Sequence, residues 1–110
     1  SLEYHPCGII TDYLANYFHL EGFKTTISTA CSSSTNAIML GSRMIKNDLA
    51  DRVLVGGADA LTKFTVKGFN SLRIYDNDFC KPFDSNRKGL NLGEAAAHIV
   101  LENNTYRKQK

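Results

Sequence analysis

Apolar residues recur at Ile10, Tyr13, Leu14, Tyr17 and Phe18, the spacing of one helical face, while Asp12 and Asn16 fall on the opposite side. This predicts an amphipathic helix over about residues 8–20. Glu21-Gly22 supplies a stop, with Gly22 free to take a left-handed conformation. Lys24-Thr25-Thr26-Ile27-Ser28 is rich in β-branched residues and reads as a short strand. A second helical pattern runs through Ala37, Ile38, Gly41, Met44, Ile45 and Leu49. The hydroxyls of Ser32 to Thr35 precede it, as N-capping positions prefer. Asp51-Arg52-Val53-Leu54-Val55, closed by Gly56-Gly57, predicts a buried strand.

From Ala60 to Arg73 the periodicity weakens to a short helix with loops. Tyr75 to Gly89 mixes turn formers and charge (Asp76-Asn77-Asp78, Lys81-Pro82, Asp84-Ser85-Asn86) and reads as a structured loop. Ala95 to Leu101 fits helix or strand by period alone, and its Ile-Val-Leu end favours strand. Strands alternating with helices indicate an α/β or mixed layered class. The interval from Ile27 to Val53 has room for a crossover helix between parallel strands.

Composition narrows the function classes. A chain of 110 residues forms one domain at most, with a modest core. No apolar run has the length of a membrane span and no leader pattern opens the chain, so a soluble, cytoplasmic protein with no membrane partner is expected. A net charge of +2 is too small for a nucleic-acid face, and the basic Tyr106-Arg107-Lys108-Gln109-Lys110 reads as a solvated end. Cys7, Cys31 and Cys80 are odd in number and lack metal-ligand spacing, which fits free thiols in a reducing compartment. His5, His19 and His98 are scattered, so neither a metal nor another cofactor is indicated. The opening Ser1-Leu2-Glu3 has no methionine, and only nine residues follow the last apolar run, so a piece of a longer protein is expected.

The chemistry concentrates at Ser28-Thr29-Ala30-Cys31-Ser32-Ser33-Ser34-Thr35-Asn36. Cys31 stands where the predicted strand turns into the predicted helix. Unpaired N–H groups and the positive end of a helix dipole favour a thiolate there. The same N–H groups suit the oxyanion of a tetrahedral intermediate, and small neighbours leave room for a thioester. The arrangement is similar to the strand–nucleophile–helix elbow of serine hydrolases. Read without chemistry, Cys31 is a small residue packed beside serines; both readings stand at this point.

Thr29-Ala30-Cys31-Ser32-Ser33-Ser34 resembles the active-site signature of β-ketoacyl-acyl-carrier-protein synthases and polyketide-type ketosynthases, in the thiolase superfamily. Further blocks in family order extend the resemblance over nearly the whole chain. They are Leu20-Glu21-Gly22, Val53 to Asp59 (a strand ending in two glycines, alanine and an acid), Gly68-Phe69 before a substrate-gating helix, and Pro82 to Gly89 with Leu92 to Ala96. Lys88, where an acid is common, and Ala95, where glycine is usual, depart from the pattern.

The resemblance implies a partial thiolase-like fold, a layered α/β/α half with a mixed sheet, as a single partial domain over residues 1–110. It implies acyl transfer to Cys31 from an acyl carrier protein, then decarboxylative Claisen condensation with a malonyl-carrier, in a fatty-acid or polyketide pathway. Cys31 would be nucleophile and, through its N–H, oxyanion donor; Phe69 would border the acyl pocket, and Arg73 would meet the carrier protein. A homodimer through the strand 24–29 is implied as well. Asp84 and Arg87 are expected to hold their loop, Gly89 and Gly93 to supply unusual backbone angles, and Glu94 to pair structurally. Cys7 and Cys80 are expected to pack. The family's malonyl-polarising histidines belong to a second half not matched here, so none of the three histidines is assigned a role and the isolated chain is predicted not to condense. The competing readings are a truncated, non-catalytic product retaining dimerisation, and a thiol sensor, for which no resolving cysteine is evident.

Overall fold

The computed structural model describes residues 6–107, with side chains described to Thr105. His5, the opening three residues and residues 108–110 lie outside the described residues. The elements are α1 (Ile9–Tyr17), a 3-10 turn (Ala30–Ser32), α2 (Ser33–Lys46), β1 (Arg52–Asp59), α3 (Lys63–Ser71), β2 (Ala95–Glu102) and a short α4 (Asn104–Arg107). They divide into two compact units, one running to Gly57 and resuming at Ala97, the other spanning Ala58–Ala96.

In the first unit β1 and β2 form a two-stranded sheet. The strands are antiparallel: Arg52 Nε donates to Glu102 Oε1 at 2.6 Å, Asn103 N to Asp51 O at 3.2 Å, and Gly56 lies against His98. Alternation puts Val53, Val55 and Gly57 on one face, with Leu101 opposite Val53. Helix α2 lies on that face. A Cβ on Gly41 would stand 2.6 Å from Val55 Cγ1, 3.3 Å from Leu101 Cδ1 and 3.4 Å from Val53 Cγ1. One on Gly57 would collide with Ser34 Oγ. Two missing side chains thus set the helix-to-sheet distance. Val55 and, on α1, Ala15 are the buried apolar residues among those described.

Helix ends follow a rule the composition hides. α1 closes with His19 N donating to Asn16 O and Leu20 N to Ala15 O, the paired bonds of a Schellman motif. α2 repeats it through Asp48 and Leu49 onto Ile45 and Met44. The left-handed position, which glycine usually fills, is taken by His19 (φ 52°) and Asp48 (φ 56°), and after α3 by Arg73 (φ 52°).

Several sequence expectations need correction. α1 ends at Tyr17 and is stopped by His19, not Gly22; no described glycine has a positive φ, so Gly89 and Gly93 do not supply unusual angles either, and Phe83 (φ 64°) carries that conformation in their loop. Residues 24–28 form no strand, because among the described residues nothing pairs with their backbone. The parallel crossover is therefore absent. β1 continues through Gly56-Gly57 to Asp59 and is mostly half-exposed, with Val55 alone buried. The hydroxyls of Ser32 to Thr35 do not cap α2; those of Ser32 and Ser33 bond backwards instead. The strand at 95–101, the short helix within 60–73 and the loop over 75–89 are observed. No described helix is long and apolar enough to cross a membrane.

Gly41→Val is expected to lower the free energy of unfolding by about 1–3 kcal/mol, since β-branched Val55 has little freedom to move aside. His19→Gly is expected to raise it by about 1 kcal/mol by relieving the left-handed residue. Denaturant titration of the two variants checks both.

Candidate functional site

The lead-in to Cys31 is held from α1. Lys24 Nζ meets Asp12 Oδ1 at 2.6 Å, and the hydroxyls of Thr11 and Thr26 lie 2.7 Å apart. The chain then turns sharply. Thr29 (φ −129°, ψ 43°) has left the extended region, Ala30 is left-handed (φ 52°), and Ala30–Ser32 form the 3-10 turn that runs straight into α2.

Side-chain oxygens supply the partners this backbone would otherwise lack. Thr29 N donates to Ser33 Oγ at 2.8 Å, and Ser33 Oγ donates to Ala30 O at 2.7 Å. Ser32 Oγ donates to Thr29 O at 2.7 Å and lies 3.0 Å from Thr29 Oγ1. Asn36 Nδ2 donates to Thr29 Oγ1 at 2.8 Å, with a longer 3.4 Å approach to Ser32 Oγ. A left-handed alanine costs roughly 1–2 kcal/mol. Several exposed hydrogen bonds at about 0.5 kcal/mol each offset that. The turn is therefore held by its hydroxyls, which explains why small oxygen-bearing residues crowd the cysteine.

Cys31 is exposed, so the packed-residue reading does not describe it. Among the described residues no backbone or side-chain oxygen accepts from its N–H. α2 carries Arg43 and Lys46 in its last turn and no acid in its first. Its positive N-terminal end is thus left for an incoming anion beside Cys31. An exposed sulfur, a free N–H on the same residue and an uncompensated helix start can together present a nucleophile and receive an oxyanion. Cys7 and Cys80, expected to pack, are exposed as well.

The second unit holds the other residues singled out from the sequence. Phe69 is half-buried on α3 and lines an open apolar recess of about 190 Å³ with Phe64, Thr65, Gly68 and Leu72. Arg73 is exposed, and its backbone occupies the left-handed position just after α3. Glu94 acts structurally: its Oε2 accepts from Leu61 N at 3.0 Å, just before Thr62 caps α3 through Thr65 N. Asp84 and Arg87 hold their loop through backbone, with Asn86 N on Asp84 Oδ1 and Arg87 Nη1 on Asp84 O. Gly89 fits where a Cβ would stand 2.6 Å from Ile74 O, beside the parallel bridge from Tyr75 to Leu90.

Two asparagines escaped the sequence reading. Asn91 braces the loop that the bridge closes: its Oδ1 accepts from Cys80 N at 2.6 Å, and its Nδ2 donates to Asp76 O and Asp78 O at 3.1 Å. Asn36 is the other. Its one signal was an amide of low helix propensity placed in the first turn of a helix. The described residues contain no cluster of histidine, cysteine or carboxylate side chains able to hold a metal.

Comparison with known proteins adds the following. Residues 7–106 match the family model described as "Beta-ketoacyl synthase, N-terminal domain". Nodulation protein E of Rhizobium sp. (strain N33) is 41% identical over 84 residues, covering 76% of this chain and 21% of that protein. Probable polyketide synthase 24 of Dictyostelium discoideum is 37% identical over 97 residues, 86% of this chain and 4% of the relative. A solved ketosynthase, in complex with its chain length factor, from Xenorhabdus doucetiae is 41% identical and superposes with a TM-score of 0.79 over 89% of this chain and 25% of its own. The chain spans about a fifth of the length of the nodulation protein it matches.

Asn91→Ala removes all three bonds of its side chain. Exchange of the Cys80 amide with solvent deuterium is expected to rise about tenfold, the loss of roughly one net hydrogen bond, while the Leu61 amide, held by Glu94, keeps its rate.

Proposed function

The chain belongs to the β-ketoacyl synthase N-terminal domain family, and from that membership we propose that Cys31 is the nucleophile of a decarboxylative Claisen condensation performed by the complete ketosynthase. The observation that carries the proposal is the Cys31 turn: an exposed thiol whose own N–H is unclaimed among the described residues, set at the start of α2. In the first half-reaction the thiolate adds to the carbonyl of an acyl-carrier thioester. The oxyanion forms against the Cys31 N–H, and collapse expels the carrier thiolate, which takes a proton, leaving the acyl group on Cys31. In the second, a malonyl-carrier breaks its bond to the carboxylate and releases carbon dioxide. The electron pair left on carbon attacks the acyl-Cys31 carbonyl, forming the carbon–carbon bond and returning the thiolate.

The remaining roles follow the same reading. Phe69, on the apolar recess of α3, borders the acyl chain, and exposed Arg73 meets the acidic acyl carrier protein. Residues 24–29 pair with their twin in a homodimer; the absence of a strand partner among the described residues supports this. A polyketide role is favoured over a fatty-acid one by the polyketide synthases among the relatives. The cytoplasm, where unpaired thiols stay reduced, is the compartment proposed. Carbonyl-polarising histidines belong to the part of a ketosynthase that this chain does not match, and His19 and His98 serve as a helix stop and a strand residue. The chain alone is therefore assigned no condensing activity.

All three described cysteines are exposed, so exposure alone cannot make one react faster. Iodoacetamide at neutral pH is expected to alkylate Cys31 at least severalfold faster than Cys7 or Cys80, read by mass spectrometry of the peptides. Equal rates would sink the activated-thiol assignment and leave a non-catalytic dimerisation piece as the better reading. With an acyl-carrier and a malonyl-carrier the isolated chain is expected to release no 3-oxoacyl product; its appearance would refute the statement that the chain cannot condense alone.

A further inference from the structure

We propose that Asn36, acting through Thr29, is a positioning residue that aims the Cys31 N–H at the acyl oxyanion; this rests on the nucleophile reading above. The side-chain bonds of Ser32 and Ser33 stay within three or four residues of the turn. The Asn36 Nδ2 bond to Thr29 Oγ1, at 2.8 Å, is different in kind. It spans seven residues and ties the first turn of α2 to the chain before the 3-10 turn, with Cys31 enclosed between its ends. An amide suits the place because it carries two donor protons: one goes to Thr29 Oγ1 while the other faces Ser32 Oγ. With the bond closed, the turn on either side of Ala30 has one geometry, and so has the direction of the Cys31 N–H. With it lost, the left-handed Ala30 is free to relax and the N–H swings, although the sulfur stays exposed.

This separates two reactions at one atom. Displacement of iodide from iodoacetamide needs the sulfur and the helix start behind it, but no aimed N–H. Attack on a thioester needs the sulfur and a correctly aimed oxyanion donor, whose loss costs on the order of a hundredfold in acyl transfer. Asn36 is therefore required for acylation and not for alkylation.

The test compares both reactions in the 110-residue chain, using acetyl-pantetheine thioester and iodoacetamide, with each cysteine followed by mass spectrometry. Asn36→Ala, which favours the helix by propensity, is expected to slow Cys31 acylation about tenfold or more, a share of the oxyanion effect, and to keep alkylation within about twofold. Thr29→Val, which keeps the shape and removes the acceptor, is expected to match it, and Thr29→Ser to restore the rate. The double variant Asn36→Ala/Thr29→Val is expected to fall no further than either single one, because both break the same bond. Equal losses in both reactions, no loss in acylation, or a Thr29→Ser variant as slow as Thr29→Val would each overturn the positioning role. Wild-type chain acylated no faster at Cys31 than at Cys7 and Cys80 would instead overturn the nucleophile reading, and the positioning role with it.

Discussion

The approach of α2 to the sheet decides where everything at the Cys31 turn can be. A helix axis normally rides about 8–10 Å from its neighbour because side chains hold the backbones apart. Here Gly41 presents no side chain to Val53, Val55 and Leu101, and Gly57 presents none to Ser34. The helix is drawn onto the strands at both places, so its first turn is fixed over Gly57. The chain arriving from Thr29 must then reverse within the three residues Ala30–Ser32 to meet it. That reversal accounts for the left-handed Ala30, for the oxygen-bearing side chains that hold it, and for the exposure of Cys31.

The elements with a regular local pattern were legible: α1 and α2 follow from the spacing of Ile10 to Phe18 and of Ala37 to Leu49, and β1 and β2 from two runs that carry β-branched residues. The strand expected at 24–28 failed because a strand is completed by its partner, and propensity says nothing of whether a partner is present. The helix stops failed for a different reason. A Schellman closure needs one left-handed residue, and His19 and Asp48 accept that conformation at modest cost where the paired hydrogen bonds are made; Arg73 does so after α3 with its single bond to Asn70 O. At the site, the cysteine and its small neighbours were readable as a motif. The bond from Asn36 to Thr29 was not, since a seven-residue link between side chains leaves no periodic trace.

The surface of the chain bears on its relation to the larger ketosynthases. Large apolar side chains stand exposed among the described residues, Tyr13, Tyr17, Phe18, Phe23 and Phe64 among them. Aromatic residues contribute heavily: on α1, Tyr13 and Tyr17 stack with centroids 6.2 Å apart, and Phe18 meets Tyr17 edge-on at 5.0 Å. Such pairs ordinarily belong to interiors. The chain spans a quarter of its structural neighbour, and exposed aromatic pairs are the kind of surface that protein–protein contacts use.

The left-handed Ala30 has a consequence for how the turn comes apart. Its strain is tolerable only while Thr29, Ser32, Ser33 and Asn36 all hold their bonds, and each of those bonds requires the backbone that the strained residue provides. Mutual dependence of this kind makes the corner all-or-none: it opens as a single local unit. A population of molecules at equilibrium then divides into two sorts with few gradations between them. Acylation at Cys31 would be set by the fraction of molecules closed at any instant rather than by a continuous softening of the site.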